Sequence, residues 1–401
     1  MSRPLVIATI ARERGITGVH THVRQLRAHL ARTGGTAELV TPHTWAVGSP
    51  PRALVLAPLF GARVLLERVW GPGNVWWYRT SHELFLRRAL RRRLAQEEAC
   101  TVYAQCPVSA RAALAARQGP HQRVVLAVHF RISQADEWAD KGQIRRGGRV
   151  YRWIRDTERD VVPRVDGLVY VSSWARSAVH EWMPEAAGVP DTVVHNFVSA
   201  PVAKAQAQAH EAPEVRETAR PAGALVSVGN LEAVKNHRYL VQVLAAARDK
   251  GYTYTLDVFG EGVEHGRLTS LADQLGVREQ VHLHGFRTDV QQRLPSYSAY
   301  VHASYSESSS LAIMEAMAAG LPVVSSTAGA LPELFDDPEE GRFWPIDDPE
   351  EAARILIGLM ESPEELRRVA RAGRDRFARD YDAEVVAPRL LAFLGAGTTA
   401  R

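Results

Sequence analysis

Residues 304–322, Ser-Tyr-Ser-Glu-Ser-Ser-Ser-Leu-Ala-Ile-Met-Glu-Ala-Met-Ala-Ala-Gly-Leu-Pro, decide how this chain is read. The run before them (Ala299, Tyr300, Val301, His302, Ala303) is strand-like. A short serine loop follows, then a helix from near Ser309 to Gly320. A serine ahead of an apolar helical run is an N-cap signal, and Gly320 with Pro322 is a stop signal. Glu315 is the odd residue. On a helical wheel it shares a face with Leu311, Ala312, Ala318 and Ala319, while Ile313 and Met317 lie opposite. The helix is apolar nearly all round, which predicts burial. A carboxylate there is costly unless something pairs with it. An arginine from elsewhere is one such partner. The small alanines beside Glu315 leave room for a ligand as another. Glu307 stands just ahead of the helix, beside the free N–H groups of its first turn, an end that attracts oxygen-rich or anionic groups.

The residues around this stretch continue an α/β series. Strands are expected at 224–228, 255–259, 281–284 and 322–325. Helices are expected at 236–248, 264–275 and 290–294, and after Pro345 at 349–360, 363–378 and 383–394. The strand at 224–228 ends in Gly229, followed by Asn230-Leu231-Glu232-Ala233-Val234-Lys235-Asn236. Gly229 permits close backbone approach. Lys235, at the start of the next helix, gains nothing from a dipole that prefers anions, but makes sense facing a bound phosphate. The chain has 49 Lys plus Arg, of which only Lys141, Lys204, Lys235 and Lys250 are lysine. A lysine at this position is therefore informative.

The first half alternates in the same way. Residues 5–10 form an unbroken β-rich run, read as a buried parallel strand. Gly15 and Gly18 open a helix carrying Val19, Val23, Leu26 and Leu30, and a second strand follows at 37–40. The turn places helix N–H groups where phosphate could sit. The G-x-G-x-x-G pattern is absent, and no acidic residue ends the second strand, so a dinucleotide site is not indicated. His20 and His22, two apart, point in different directions and read as solvated or capping side chains. Further strands are expected at 53–56, 75–78, 102–104, 124–128 and 168–171, with an irregular loop at 130–142. His129 follows the strand at 124–128, at the edge where open α/β sheets bind ligands. It either caps that strand or serves a ligand. Residues 200–222, rich in Ala, Gln, Glu and Pro, read as a linker.

At 401 residues two domains are the natural expectation. No apolar run is long enough to span a membrane, and the N-terminus reads as a strand rather than a signal peptide. Cys100 and Cys106 are too few for a disulfide framework or a zinc site, so a reduced, cytoplasmic setting is expected. A net charge of +4 does not point to nucleic acid. Arg87, Arg88, Arg91, Arg92 and Arg93 in one predicted helix make either a solvated face or a docking face for anionic lipid.

Taken together, these pieces resemble the retaining GT-B glycosyltransferases of family 4, along nearly the whole chain. Glu307 and Glu315 fit that family's E-x7-E motif, and Glu-Ala-Met-Ala-Ala-Gly-Leu-Pro-Val-Val at 315–324 fits the run that follows it. Residues 228–236 resemble its phosphate-binding loop, Val-His-Asn-Phe-Val at 194–198 its hinge, and residues 15–23 its glycine loop and first helix. The resemblance implies two Rossmann-like domains facing a central cleft. Residues 1–198 would bind acceptor, 199–379 would bind the nucleotide sugar, and the C-terminal helix (about 380–401) would cross back to the first domain.

It also implies roles. Glu315 would accept the ribose hydroxyls. Glu307 and the amides of Ser308, Ser309 and Ser310, with Leu311 at the helix start, would hold the donor sugar. Gly229, Asn230 and Lys235 would meet the diphosphate, with Lys235 neutralising it and the Gly15–Gly18 loop helping. Gly285, Phe286 and Arg287 would line the base pocket, and His129 would sit over the donor sugar. Departures stand at Asn230, where the family often has arginine, at Ser308–Ser310, and at 327–333, which has one glycine where two are usual. No cofactor or metal is implied. The expected reaction is transfer of glucose or N-acetylglucosamine from an NDP-sugar, expected to be UDP-linked, to a hydroxyl of a small soluble acceptor such as a secondary metabolite or cyclitol. The rivals are a lipid-linked or polysaccharide acceptor at a membrane surface, a sugar-nucleotide epimerase, and a catalytically lapsed NDP-sugar-binding protein.

Overall fold

The computed structural model describes residues 3–13, 15, 17–199 and 223–396. The expected linker at 200–222 lies outside the described residues. The chain divides into two compact units, one of residues 1–195 with 386–401 and one of residues 196–385.

The first unit runs β1 (Leu5–Ala8), α1 (Gly18–Arg32), β2 (Ala37–Val40), a 3₁₀ turn (Pro42–Ala46), α2 (Pro50–Val69), α3 (Gly71–Leu94), β3 (Cys100–Ala104), α4 (Pro107–Leu114), β4 (Gln122–Val128), α5 (Gln134–Asp140), α6 (Arg149–Val161), β5 (Gly167–Tyr170), α7 (Ser173–Trp182) and β6 (Asp191–Val193). Its strands form one parallel sheet in the order β2-β1-β3-β4-β5-β6. Val6, Ala8, Val102, Val124 and Leu126 are inaccessible in its core, as strands covered on both faces require. Leu86 and Leu90 of α3 join that core, each contributing roughly 1.5–3 kcal/mol by burial.

Two expected strands are helical. Residues 53–56 belong to α2 and residues 75–78 to α3. The apolar run at 53–56 fits a strand or a buried helix, and its continuation decides. Leu56, Leu59, Phe60, Arg63 and Leu66 recur at helical spacing and are buried or half-buried, whereas Ala57, Pro58 and Gly61 are exposed. The aromatic triplet Trp76-Trp77-Tyr78 is held helical by packing, with the Trp77 indole donating to the Leu59 carbonyl at 2.9 Å. The expected loop at 130–142 contains α5, capped by Ser133, whose Oγ accepts from the Ala135 N–H at 3.0 Å.

The second unit runs β7 (Ala224–Val228), a 3₁₀ turn (Ala233–Lys235), α8 (His237–Asp249), β8 (Thr255–Phe259), α9 (His265–Gln274), β9 (Val281–Leu283), α10 (Val290–Arg293), β10 (Ala299–His302), α11 (Leu311–Ala318), β11 (Val323–Ser325), β12 (Arg342–Phe343), α12 (Pro349–Met360), α13 (Pro363–Asp380) and α14 (Ala383–Leu394). Its parallel sheet has the order β12-β11-β10-β7-β8-β9, which reverses direction between β7 and β10. Open α/β sheets bind ligands beyond the strand ends at such a reversal. Val198 and Asp382 form an isolated parallel bridge in this unit. From Val386 onward, α14 belongs to the first unit, as expected of the C-terminal helix. There the Leu394 carbonyl accepts from Thr101 Oγ1 at 2.8 Å, and Phe393 packs on Gly167. Among the described residues, no helix is long and apolar enough to cross a membrane.

Candidate active site

The reversal point of the second sheet is framed by two segments, one leaving β7 and one leaving β10. After β7, the Gly229 N–H donates to the Phe259 carbonyl at 2.9 Å and the Leu231 N–H to the Glu261 carbonyl at 2.9 Å, so the loops after β7 and β8 run together. A Cβ added at Gly229 would come no nearer than 3.7 Å to another residue. The protein itself does not require glycine there, and the missing side chain leaves space. Lys235 does not start a helix, as its position suggested; it closes the 3₁₀ turn. Asn236 then takes the left-handed region (φ +51°) before α8 begins. Asn236 is 2% exposed, and both polar atoms of its side-chain amide lack a partner. Such orphaned groups call for an explanation, and an absent ligand or water is one.

After β10 the chain crosses toward that turn, with the Tyr305 N–H donating to the Val234 carbonyl at 2.9 Å. This brings Glu307 over Lys235. One carboxylate oxygen, Oε1, receives Lys235 Nζ at 2.6 Å, Ser304 Oγ at 2.7 Å and His302 Nε2 at 3.1 Å. A carboxylate only accepts, so the His302 Nε2 carries the proton. Its Nδ1 lies 3.4 Å from Tyr300 Oη. Burial lowers the His302 pKa and keeps the ring neutral, although Glu307 pulls the other way. For Glu307, burial alone would raise the pKa. The Lys235 ammonium and the His302 hydrogen bond outweigh it and hold the carboxyl well below the usual range. The site thus contains a charged pair in a largely water-excluded wall, 72 residues apart in sequence.

The backbone at Glu307 is fixed from behind. Its carbonyl accepts from the Ala330 N–H at 2.9 Å, and a Cβ on Gly329 would fall 2.2 Å from that oxygen. Gly329 also has φ +63°, so glycine is required twice over. It is the single glycine of 327–333.

The helix begins two residues later than expected, with Ser310 as its cap, Oγ accepting from the Ile313 N–H at 3.4 Å. Ile313, Met314, Ala316 and Met317 are buried, whereas Leu311, Ala312, Glu315, Ala318 and Ala319 share a half-buried face. The helix is therefore one-sided rather than buried all round. A partner of Glu315 is Gln291 of α10, whose Nε2 donates to its Oε1 at 2.7 Å. Ser308 and Ser309 are half-exposed, and Ser309 Oγ is a shielded atom without a partner. Gly285, Phe286 and Arg287 follow β9, two strands from β7. The Phe286 ring is exposed, and its N–H donates to Glu261 Oε1 at 3.3 Å. Arg287 is bound by both ends to Asp289, at 3.0 Å each, and so is committed within its own loop.

The remaining candidates lie in the first unit. Gly18 is the first residue of α1, and Gly15 lies against the His20 imidazole, where a Cβ would come within 2.3 Å. That ring bridges Thr17 Oγ1 at 2.7 Å and the Arg12 carbonyl at 3.0 Å, pinning the loop. His22 is not solvated as its spacing suggested. It is buried, with Nε2 3.1 Å from Tyr103 Oη and its ring 4.9 Å from that of His129. His129 Nε2 in turn meets Gln105 Oε1 at 3.1 Å. Burial, and secondarily His22, push the His129 pKa well below the ordinary imidazole value, so it is neutral near pH 7.

The structure thus unites Lys235 with Glu307, and Glu315 with Gln291. Sequence reasoning missed His302, Ser304, Gln291 and His22. His302 occupies in β10 the strand-end position that drew attention to His129, and that was the available signal. Gln291 had none.

Two families match the chain: residues 16–200 match Glycosyltransferase Family 4, and residues 212–376 match Glycosyl transferases group 1. Two solved structures share the fold throughout. The sucrose-phosphate synthase of Thermosynechococcus elongatus has a TM-score of 0.71 and 16% identity, covering 97% of this chain and 98% of that one. HepE of Anabaena, solved with UDP-glucose, has a TM-score of 0.68 and 17% identity, covering 98% and 100%. The chain belongs to the GT-B glycosyltransferases. Among curated relatives, the lipopolysaccharide core biosynthesis glycosyltransferase LpsE of Rhizobium meliloti is 28% identical over 179 residues, covering 44% of this chain and 51% of that protein. The chain spans about half or less of the length of the curated relatives it matches.

Proposed function

We propose that the chain is a retaining hexosyltransferase that takes its sugar from a UDP-linked NDP-sugar. The observation that carries this reading is the Lys235–Glu307 pair at the reversal point between β7 and β10. An ammonium has three N–H donors, and Glu307 Oε1 uses one, so two remain for a diphosphate. Glu307 holds a sugar hydroxyl, Ser309 Oγ offers another contact, and Glu315, steadied by Gln291, accepts the ribose hydroxyls. The bond from the anomeric carbon to the phosphate oxygen breaks as the bond to the acceptor oxygen forms on the same face. The departing phosphate oxygen takes the acceptor's proton. Charge on that leaving group is the main thing to stabilise, and Lys235 supplies the fixed positive charge. His129 and the Gly15–Gly18 loop keep the roles the family resemblance gives them.

For the acceptor, the relative named for lipopolysaccharide core synthesis favours a hydroxyl on a polysaccharide or lipid-linked glycan over the small soluble acceptor expected from the sequence. The test measures nucleotide release from a panel of NDP-sugars, with and without soluble and lipid-linked acceptors, and reads the product anomer by NMR. Release that needs acceptor, and a retained anomer, are expected. An epimerised sugar without acceptor, or full transfer activity in Lys235→Ala, would remove the assignment. Nucleotide binding without turnover on any acceptor would favour the lapsed binding protein.

A further inference from the structure

The exposed large apolar side chains of this protein are concentrated in one place. Val47, Leu54, Val55, Val69, Trp70 and Trp76 all fall between the end of the 3₁₀ turn and the first half of α3. Along α2, the inner stripe of Leu56, Leu59 and Phe60 faces α3, where Phe60 stacks on His82 at 4.2 Å. The outer stripe is different. From Pro50 to Gly61 every exposed residue of α2 is apolar. Leu54 is 75% exposed, and at the far end Val69 is 84% and Trp70 59% exposed. At 1.5 Å per residue the run from Pro50 to Gly61 is about 17 Å long, and an exposed apolar surface of that length marks an interaction site. Val69, at the end of the same helix, and Trp70, just after it, lie beyond the exposed Glu67.

A second observation says what covers it. Beside the start of α2, three guanidinium groups converge on one indole: Arg52, Arg88 and Arg92 lie 5.7, 6.0 and 5.9 Å from the Trp45 ring. Arg92 also donates to the Trp45 carbonyl. None of the three is ion-paired to a described carboxylate. Arg146, by contrast, is held by Asp136 at 2.7 Å and Asp140 at 2.6 Å, and Arg93 by Glu38 and Glu97. Three unneutralised cations beside an apolar strip with tryptophan at its far end match an anionic bilayer surface. There the apolar face enters the headgroup boundary, indoles sit at that depth, and arginines meet lipid phosphates. A protein partner fits less well, because this stretch of α2 offers almost no hydrogen-bonding side chains to a rim. Pairing with a second copy would bring two uncompensated arginine clusters to one interface.

We propose that α2 is an in-plane membrane-docking helix, whose exposed apolar residues from Leu54 to Gly61 lie in the surface of an anionic bilayer with Trp70, while the Arg52–Arg88–Arg92 cluster beside it binds lipid phosphates. The docking face lies entirely within the first unit and does not depend on the donor-site reading, since binding is measured without substrate.

The experiment is sedimentation of the full chain with vesicles of phosphatidylcholine alone, or of phosphatidylcholine and phosphatidylglycerol in equal parts, at low and high salt. Binding to the anionic vesicles, weakened by salt, is expected, with blue-shifted tryptophan emission. Arg88→Gln with Arg92→Gln should weaken it about 25-fold, at about fivefold per arginine. Leu54→Asp should weaken it at least as much. Circular dichroism distinguishes lost docking from lost folding, and if Leu54→Asp misfolds, the arginine pair decides alone. The proposal fails if the protein stays in the supernatant, if both variants bind like the parent, or if neutral vesicles bind equally well. It also fails if inorganic phosphate competes away all binding, which would make the cluster a free-anion site. A dimer that Leu54→Asp splits, with no vesicle binding, would assign the face to self-association.

Discussion

Replacing Lys235 by methionine removes the ammonium and leaves most of the side chain's volume. What it strands is Glu307, 7% exposed. Stripping one partner from a buried ion pair costs about 3–5 kcal/mol. Two features reduce that here. The Lys235 side chain is 27% exposed, and Ser304 and His302 still donate to the same carboxylate oxygen. About 2 kcal/mol at pH 7 is the resulting expectation, a fall of roughly 4–8 °C in the Tm of a unit the size of residues 196–385. The sign with pH follows from the causes of the shift. In the parent, the Glu307 carboxyl is held below its unfolded value, so it stabilises above about pH 4.3 and the benefit is lost as pH falls through the folded value. In Lys235→Met only burial and two hydrogen bonds remain. The folded pKa rises, and if it passes the unfolded value the variant gains stability on acidification. The Tm gap should therefore be widest near neutrality and narrow toward about pH 4.5. Thermal unfolding of both proteins across that range decides it. Equal Tm at pH 7, or a gap that widens in acid, refutes the account of the pair.

Ser309→Ala removes a shielded hydroxyl with no partner, so Tm should hold while KM for the donor rises by about fivefold, the worth of one hydrogen bond; a fall in Tm with unchanged KM would place the hydroxyl in the fold instead. Gly329→Ala puts a Cβ 2.2 Å from the Glu307 carbonyl at φ +63° and should cost at least about 2 kcal/mol in denaturant titration. Glu315→Gln should weaken nucleotide binding by about tenfold in calorimetry, the worth of a charge-assisted hydrogen bond, without changing Tm by more than a few degrees. Because His129 is held neutral by burial, the transfer rate should show no inflection near about pH 6.5 that His129→Asn abolishes.

How much of this was legible depended on the range of the cause. The second unit's first five strands and the last three helices were readable to within two residues, because local periodicity and capping residues set them; the two-residue β12 was too short to show a pattern. The helices α2 and α3 were not. Ala-Leu-Val-Leu and Trp-Trp-Tyr favour strands over four residues, and the helical spacing beyond residue 56 together with the fit of Phe60 and Trp77 across the helix pair settles them. At the site, spacing on one segment placed Glu307 and Glu315, and rarity singled out Lys235. That Lys235 and Glu307 are each other's counter-ions was invisible, since it arises from the crossing of two strand ends 72 residues apart. Gln291 as partner of Glu315, and the burial of His22 against Tyr103 and His129, are likewise products of packing between elements.

The brace of Gly329 and Ala330 behind the Glu307 carbonyl separates the shape of the sugar loop from its chemistry. The backbone at 307 is anchored from outside the loop, and Ser310 caps the helix beyond it. The Ser309 hydroxyl, which has no partner, carries little of the loop's structure. That position is free to drift under selection for a different sugar while the carboxylate nearby stays in place. In a lineage of such enzymes, donor preference would change by substitution there, long before any change in fold or in the charged pair became necessary.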